Sequence, residues 1–384
     1  MDFDLSEEQV MIRRMVRDFG EREIVPVIRD YDRAARFPWE IIAKMGPLGL
    51  MGAPVPEAYG GMGLDYLTYA IVVEELGWAD TSLRTTVSVH SSLGELSILR
   101  YGTEEQRQKY LPRLASGEII ASFSLTEPNV GSDASGMQTI AEPDGDGWIL
   151  NGSKMWVTSG GICGLAIVFA QTNRSLGTKG ITAFIVEPDT PGFRREEMHG
   201  KLGLRSSSTA EFVFDDCHIP GENLLGKVGD GFKIAMASLD NGRLGIAAGC
   251  VGLAQACIDA SVKYARERKQ FDRPIGSFQL IQDMIVQMVM ETEAARFLVY
   301  RAAHLKDKGA RNTRECSIAK LYASEVAKRA ADRAIQIHGS YGYSDEYPVE
   351  RFYRDARADT IYEGSSEIQK LIIGRHTLGL DAFV

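Results

Sequence analysis

The spacing of the apolar residues changes twice along the chain, and this constrains the fold more than any other feature. Up to about residue 120 they recur at helical intervals: Ser6-Glu7-Glu8-Gln9 reads as a capping box, and Met11, Ile12, Met15, Val16 and Phe19 follow three or four apart. Residues 39–45, 66–76 and 104–114 continue the pattern between Gly/Pro-rich stretches such as GAPVPEAYGGMG. Between Ser122 and Gly226 the apolar runs become short and rich in β-branched and aromatic residues, as at 148–150, 165–169, 181–186 and 211–214, bounded by Gly, Pro, Asn and Asp. Long helical patterns return over 236–266, 278–306, 314–337 and 366–376, four helices expected to pack as an antiparallel bundle. The expectation is a mainly α protein with a central β-domain. A helical domain would span 1–121, a β-barrel or sandwich 122–230, and a four-helix bundle 231–384.

Charge and cysteine usage exclude several functions. With 52 acidic and 43 basic residues the net charge is −9, which disfavours a nucleic-acid partner. The five cysteines are odd in number, widely spaced and without a C-x-x-C pair, so neither a disulfide framework nor a zinc site is expected. The opening MDFDLSEEQV has no apolar or arginine-rich leader character, and with the cysteines it points to a cytoplasmic setting. The longest weakly polar stretch, 244–258, is interrupted by Gln255 and is short for a bilayer, which needs about 20 apolar residues. The motifs G-x-G-x-x-G after a strand, G-x-x-x-x-G-K-[ST], H-E-x-x-H and G-x-S-x-G are absent, and no two of the six histidines share a helix at metal-ligand spacing.

Three segments concentrate groups able to do chemistry. TEPNVGSD, from Thr126 to Asp133, gathers small hydroxyls and backbone donors in a turn that would hold a polar ligand group, or is a plain Pro/Gly turn. Lys154-Met155-Trp156-Val157-Thr158 puts an aromatic and a hydroxyl two apart, on one face of a strand, where Trp156 either meets a flat ring or completes a β-core. IYEGSSEI, from Ile361, places a carboxylate between two elements, with Ser366 as the expected N-cap of the last helix.

Taken together these segments resemble one family, the acyl-CoA dehydrogenases, flavoenzymes that introduce a double bond between Cα and Cβ of acyl-CoA thioesters. The likeness runs through LTEPNVGSDA (125–134), MWVTSGG (155–161), RERKQF (266–271), AIQIHGSYGY (334–343), RFYRDAR (351–357) and IYEGSSEIQ (361–369). It implies the three-domain order read above, FAD as cofactor, no metal, a homotetramer, and electron-transferring flavoprotein as the partner receiving electrons. Such enzymes serve fatty-acid β-oxidation and amino-acid degradation.

The resemblance makes Glu363 the base that removes the α-proton, with Tyr362 and Gly364 beside the substrate. A thioester α-proton is weakly acidic, so the carboxylate needs its pKa raised by burial. By the same likeness Trp156 lies along the isoalloxazine, Thr158 bonds near its N5, and Phe123, Leu125, Thr126 and Ser132 line the flavin, Ser132 also meeting the CoA entrance. Arg268, Phe271, Gln279, Gln336 and Gly339 would hold the adenylate and pyrophosphate from a neighbouring chain, with Ser365 and Glu367 completing the cofactor set. Asp240 and Arg243 match residues that meet pantetheine or brace the base. One branch of the family carries its base at the position of Gly242, which leaves Glu363 as the candidate here.

Two departures bear on the acyl group. Glutaryl-CoA dehydrogenases have arginine and serine at the places of Arg84 and Ser88, where short-chain enzymes have glycine for the arginine. That pair would bind a substrate carboxylate, or Arg84 pairs with Glu75, Asp80 or another protein carboxylate. Decarboxylating glutaryl enzymes also carry a glutamate at the place of Gly77, and EGSSEIQ is closer to short-chain enzymes. The expected substrate is a short acyl-CoA, with glutaryl-CoA as the alternative. An acyl-CoA oxidase is a further alternative, although the additional C-terminal domain usual in oxidases does not occur in this sequence.

Overall fold

A computed structural model describes residues 4–382. The first helix, α1 (Glu7–Phe19), starts at the expected capping box: Ser6 Oγ accepts from the Gln9 amide at 3.2 Å, and the Gln9 side chain accepts from Ser6 N–H at 3.0 Å. After α2 (Ile28–Ala34) and α3 (Trp39–Met45) comes α4 (Tyr66–Ala79), capped by Asp65 and buried on nearly every side. It packs against α1 on one flank and the long C-terminal helix on the other, so it needs no polar face. The next helix, α5 (Thr81–Ser88), is capped by Asp80, whose carboxylate accepts from Leu83 N–H at 2.8 Å. It passes through a π-helical turn (Val89–Glu95) into α6 (Leu96–Tyr101), and α7 (Glu104–Ala115) follows. The segment 81–97 is buried although rich in Ser and Thr. Several of its hydroxyls bond the preceding turn, Thr85 donating to Thr81 O and Ser97 to Leu93 O, whereas those of Thr81 and Ser88 are buried without a partner.

The middle of the chain forms the expected central β-domain, an eight-stranded sheet folded over a shared core. Its strands are β1 (Ala121–Ser124), β2 (Ile140–Asp144), β3 (Gly147–Thr158), β4 (Leu165–Gln171), β5 (Ile181–Val186), β6 (Phe193–Glu197), β7 (Thr209–Ile219) and β8 (Leu224–Leu225). The spatial order is β6-β7-β3-β2-β4-β5-β8, with β1 parallel to β4. Both faces of β4 and β5 are covered. Ile167, Phe169 and Ile185 join a cluster with Leu111 and Leu114 of α7, while Val168, Phe184 and Val186 join Phe212 and Phe214 of β7. This double coverage is why the two strands read as continuous apolar runs.

Helix α8 (Gly231–Glu267) is followed by a short hairpin, β9 (Lys269–Gln270) and β10 (Arg273–Pro274), then by α9 (Gln279–Asp307), α10 (Thr313–His338), α11 (Val349–Asp359) and α12 (Ser366–Leu378). Among the described residues α8 alone is long and apolar enough to cross a membrane, but 78% of its most apolar window is buried inside the protein. It is the central strut of the molecule, packed against α4, α5, α9, α10 and α11. Five helices occur where the periodicity gave four. The additional one, α11, is dense in charge, and its buried face uses ions: Arg354 pairs with Asp32 at 2.7 Å, and Asp355 accepts from Leu204 N–H at 2.6 Å.

Candidate active site

The turn between α11 and α12 carries Glu363 in the left-handed region, φ 52°, followed by Gly364 at φ 95°. A glutamate there is strained by roughly 1–3 kcal/mol and persists only where its surroundings enforce the conformation. Three side chains do so. Lys320 of α10 donates to Gly364 O at 2.9 Å, Gln369 of α12 donates to Glu363 O at 3.3 Å and Gly364 O at 3.0 Å, and Arg243 of α8 donates to Glu363 O at 3.4 Å. The expected cap of α12 is corrected: Ser365 is the N-cap, accepting from Ile368 N–H, whereas Ser366 lies inside the helix and donates to Glu325 at 2.8 Å.

The Glu363 carboxylate rests on Gly242. A Cβ built there would lie 1.9 Å from Oε2, so a base at 242 and one at 363 exclude each other. Oε2 is buried and has no hydrogen-bond partner. Burial raises its pKa to about 7, against the opposing pull of Arg243, Lys320 and Arg84. The result is a carboxyl group that titrates near neutrality in a dry seat, as a carbon-acid base requires. Arg243 is fixed by Asp240 at 2.8 Å, and Thr313 donates to Asp240 at 2.6 Å.

A second group gathers at one end of β1 and β3. Met155 N–H donates to Thr126 O at 2.9 Å and Ser122 donates to Thr158 O at 3.0 Å, bringing Phe123 of β1 and the turn after it (Leu125, Thr126) against the end of β3. The register of β3 on β7 slips by one residue between Lys154 and Val157, and Trp156 sits in this bulge at φ 60°. The bulge breaks the strand alternation, which corrects the expectation that Trp156 and Thr158 share a face by simple pleating. Trp156 is 61% exposed and completes no β-core; Thr158 is half-buried and Ser132 exposed. The TEPN turn is more than a plain turn, because Glu127 accepts from the amides of Gln138 (2.6 Å) and Thr139 (3.0 Å) and from a fully buried Lys154 (2.8 Å). Burial pushes the Lys154 amine down to about 8 in spite of this partner.

The third group lies at one end of the helical bundle. Arg268 closes α8 with its guanidinium 5.6 Å from the Tyr341 ring, in the turn that follows Gly339 (φ 61°). Phe271 is 89% exposed in the hairpin, 6.0 Å from Phe278, and Gln279 and Gln336 are exposed nearby in sequence to these. Among the described residues, none of these is hydrogen-bonded or ion-paired to the Glu363 turn of the same chain. Glu367 is exposed in the first turn of α12.

Arg84 and Ser88 lie buried on α5. Of the two readings of Arg84, the structure shows the internal one: it pairs with Asp359 at 2.8 Å, not with Glu75 or Asp80, and Tyr362 OH accepts from it at 3.3 Å. Sequence reasoning did not single out Asp359, Lys320, Gln369 or the Lys154–Glu127 pair. Lys320 had a legible signal, since it interrupts the small-residue stripe of Cys316, Ala323 and Ala327 on α10.

A strained, partly desolvated carboxylate with a pKa near 7, in a chain that also presents an exposed tryptophan on a strand bulge, defines a proton-abstracting enzyme with a place for a planar cofactor. Comparison with known proteins supplies the rest. The chain matches the acyl-CoA dehydrogenase N-terminal domain over residues 6–118, the middle domain over 122–217 and the C-terminal domain over 229–378. It is 47% identical to a short-chain specific acyl-CoA dehydrogenase of Clostridium acetobutylicum, over 97% of this chain and 98% of that one. Among solved structures it superposes on butyryl-CoA dehydrogenase from Megasphaera elsdenii with a TM-score of 0.96 at 44% identity, covering 98% of this chain and 100% of the other. A glutaryl-coenzyme A dehydrogenase in complex with glutaryl-CoA gives 0.96 at 44%, covering 99% and 97%. A chain solved in work on the electron transferring flavoprotein of Acidaminococcus fermentans gives 0.97 at 46%, covering 98% and 100%. The chain belongs to the acyl-CoA dehydrogenase family and is an FAD-dependent oxidoreductase.

Proposed function

We propose that the protein oxidises a short, uncharged acyl-CoA to the trans-2-enoyl-CoA and passes the electrons to electron-transferring flavoprotein, with Glu363 as the base. The observation that carries this reading is the Glu363 carboxylate seated on Gly242, with one oxygen buried and unpartnered and its pKa near 7. The residues present fit FAD: Trp156 stands exposed on its bulge beside Thr158 and the Phe123–Thr126 turn, and Arg268, Gln336 and Gly339 offer a guanidinium, an amide and an open backbone for a pyrophosphate. Bound FAD supplies the acceptor for the hydride that leaves Cβ. Glu363 takes the α-proton onto its carboxylate, and the Lys320, Gln369 and Arg243 contacts keep that carboxylate aimed while substrate displaces water from it. Arg243 and Asp240 brace the same turn, with Tyr362 and Gly364 flanking the acyl group.

A homotetramer is part of the proposal, because the FAD-phosphate candidates lie at one end of the bundle, exposed and apart from the base of their own chain. A cytoplasmic setting is supported by five buried, unpaired cysteines, and roles in fatty-acid or amino-acid breakdown follow from the substrate class. Titrating the anaerobic holoenzyme with butyryl-CoA tests the reaction. Flavin absorbance should bleach in the wild type and not in Glu363→Gln, with both proteins retaining FAD; bleaching by the variant at the wild-type rate would remove Glu363 from the mechanism.

A further inference from the structure

Three glycines of α8, Gly242, Gly245 and Gly249, occupy two turns, about 10 Å of helix, and each receives a polar group from another element. Gly242 seats the base. A Cβ on Gly245 would lie 2.3 Å from Ser88 Oγ and 3.5 Å from Tyr69 OH, and one on Gly249 would lie 2.2 Å from Arg84 Nε. A line of buried polar groups therefore runs along α8 from Glu363 to Arg84, the course an acyl groove from the base would take. At its far end Arg84 and Asp359 are both fully buried and meet at 2.8 Å, and Tyr362 donates to the same Asp359 oxygen while accepting from both terminal nitrogens of Arg84. Asp359 is the last residue of α11, four before the base, so the turn that positions Glu363 also positions this anion. The cluster is not saturated. Asp359 Oδ2, Arg84 Nε, Ser88 Oγ and Tyr69 OH are buried with no partner.

We infer that Asp359 is a specificity-determining residue: it holds Arg84 from within the chain, so the groove ends in a net-neutral, hydrogen-bonding surface that admits an uncharged acyl terminus and rejects one ending in a carboxylate. The inference rests on the Glu363 turn being the acyl-CoA site. A buried guanidinium requires an anion, and here the anion is built in. A substrate carboxylate arriving at Arg84 would face Asp359 at close range in a dry site without a cation of its own. An uncharged end, apolar or bearing a hydroxyl or amide, meets no such repulsion and finds donors and an acceptor in place.

The test compares butyryl-CoA with glutaryl-CoA by anaerobic flavin bleaching of the holoenzyme, taking the ratio of their kcat/KM values. The wild type should favour butyryl-CoA by about 100-fold or more, and Asp359→Asn, which neutralises the internal anion, should shift the ratio toward glutaryl-CoA by about tenfold, mainly through KM. Adding Arg84→Met to that variant should abolish the gain, a pattern that general damage to the fold would not produce. A wild type that bleaches with glutaryl-CoA within about tenfold of butyryl-CoA overturns the inference, as does a yellow Asp359→Asn with an unmoved ratio. If Asp359→Asn does not hold flavin, Asp359→Ser is read the same way; if neither variant holds flavin, the wild-type ratio decides alone. Failure of butyryl-CoA to bleach the wild type would count against the proposed reaction instead; the Asp359 inference is then decided by the relative dissociation constants of the two thioesters for wild type and variant.

Discussion

A carboxylate raised to about 7 affects activity and stability in opposite directions. As a base Glu363 works ionised, so turnover should rise with pH through about 7 and level off above it. For stability, the unfolded glutamate titrates near its ordinary 4.5 and the folded one near 7, so between these values the folded chain binds the additional proton. Stability therefore falls as pH rises through that window, and above it burial of the charge costs at most about 3 kcal/mol. Glu363→Gln should melt a few degrees above the wild type at pH 8 and at nearly the same temperature at pH 5. An equal gap at both values would mean that the charge is not desolvated. The sequence held the identity of this residue through IYEGSSEIQ, but not its partners. Arg243 was reached through the resemblance, but Lys320 and Gln369 come from two further helices that meet it only in the folded chain.

At the scale of elements, the close approach of α4 and α8 sets the geometry of the groove. Gly77 of α4 sits against Gly249 of α8, where a Cβ would lie 2.4 Å from the Gly249 carbonyl, and one on Gly252 would lie 1.9 Å from Glu74 O. This is the physical reason that a glutamate at 77, as in the decarboxylating glutaryl enzymes that the sequence partly resembles, does not fit between these backbones. Gly252→Ala must push two backbones apart and should destabilise by roughly 1–3 kcal/mol or more. Gly374→Ala in α12, where nothing lies within 4 Å of the new methyl, should be neutral or stabilising by up to about 1 kcal/mol. Thermal melts of the two variants check this, and equal shifts would show that the helices are not in contact at Gly252. Periodicity revealed α1, α4 and α7 because each has a regular apolar face or cap. It missed α11, whose buried face mixes Arg351, Asp355 and Asp359 with Val349, Phe352 and Ala356, so that charged residues break up the apolar signal.

For the whole molecule, the base and the FAD-phosphate candidates are carried by different ends of the bundle, and the face beside the latter is apolar. On α9, Leu280 is 80% exposed and Met290 67%, with Val286 and Val289 also uncovered, and Phe271 and Tyr343 stand out from the adjoining hairpin and turn. So many large apolar side chains on one surface are costly in a monomer, and a second copy of the chain would cover them. The order of domains could be read from the sequence because the apolar period changes twice, whereas this face could not, since Val286 and Met290 have the same spacing as core residues. If the adenylate and pyrophosphate of FAD are held across that interface, assembly and flavin binding are coupled. Val286→Glu combined with Met290→Glu should therefore reduce the mass seen by light scattering below that of the proposed tetramer and lower the flavin-to-protein absorbance ratio in parallel. The Glu363 turn, built from α8, α10 and α12 of one chain, should keep its fold. A dissociated variant that still holds stoichiometric FAD would show that one chain binds the whole cofactor, and Arg268, Phe271, Gln279, Gln336 and Gly339 would then lose their assignment to a neighbouring subunit.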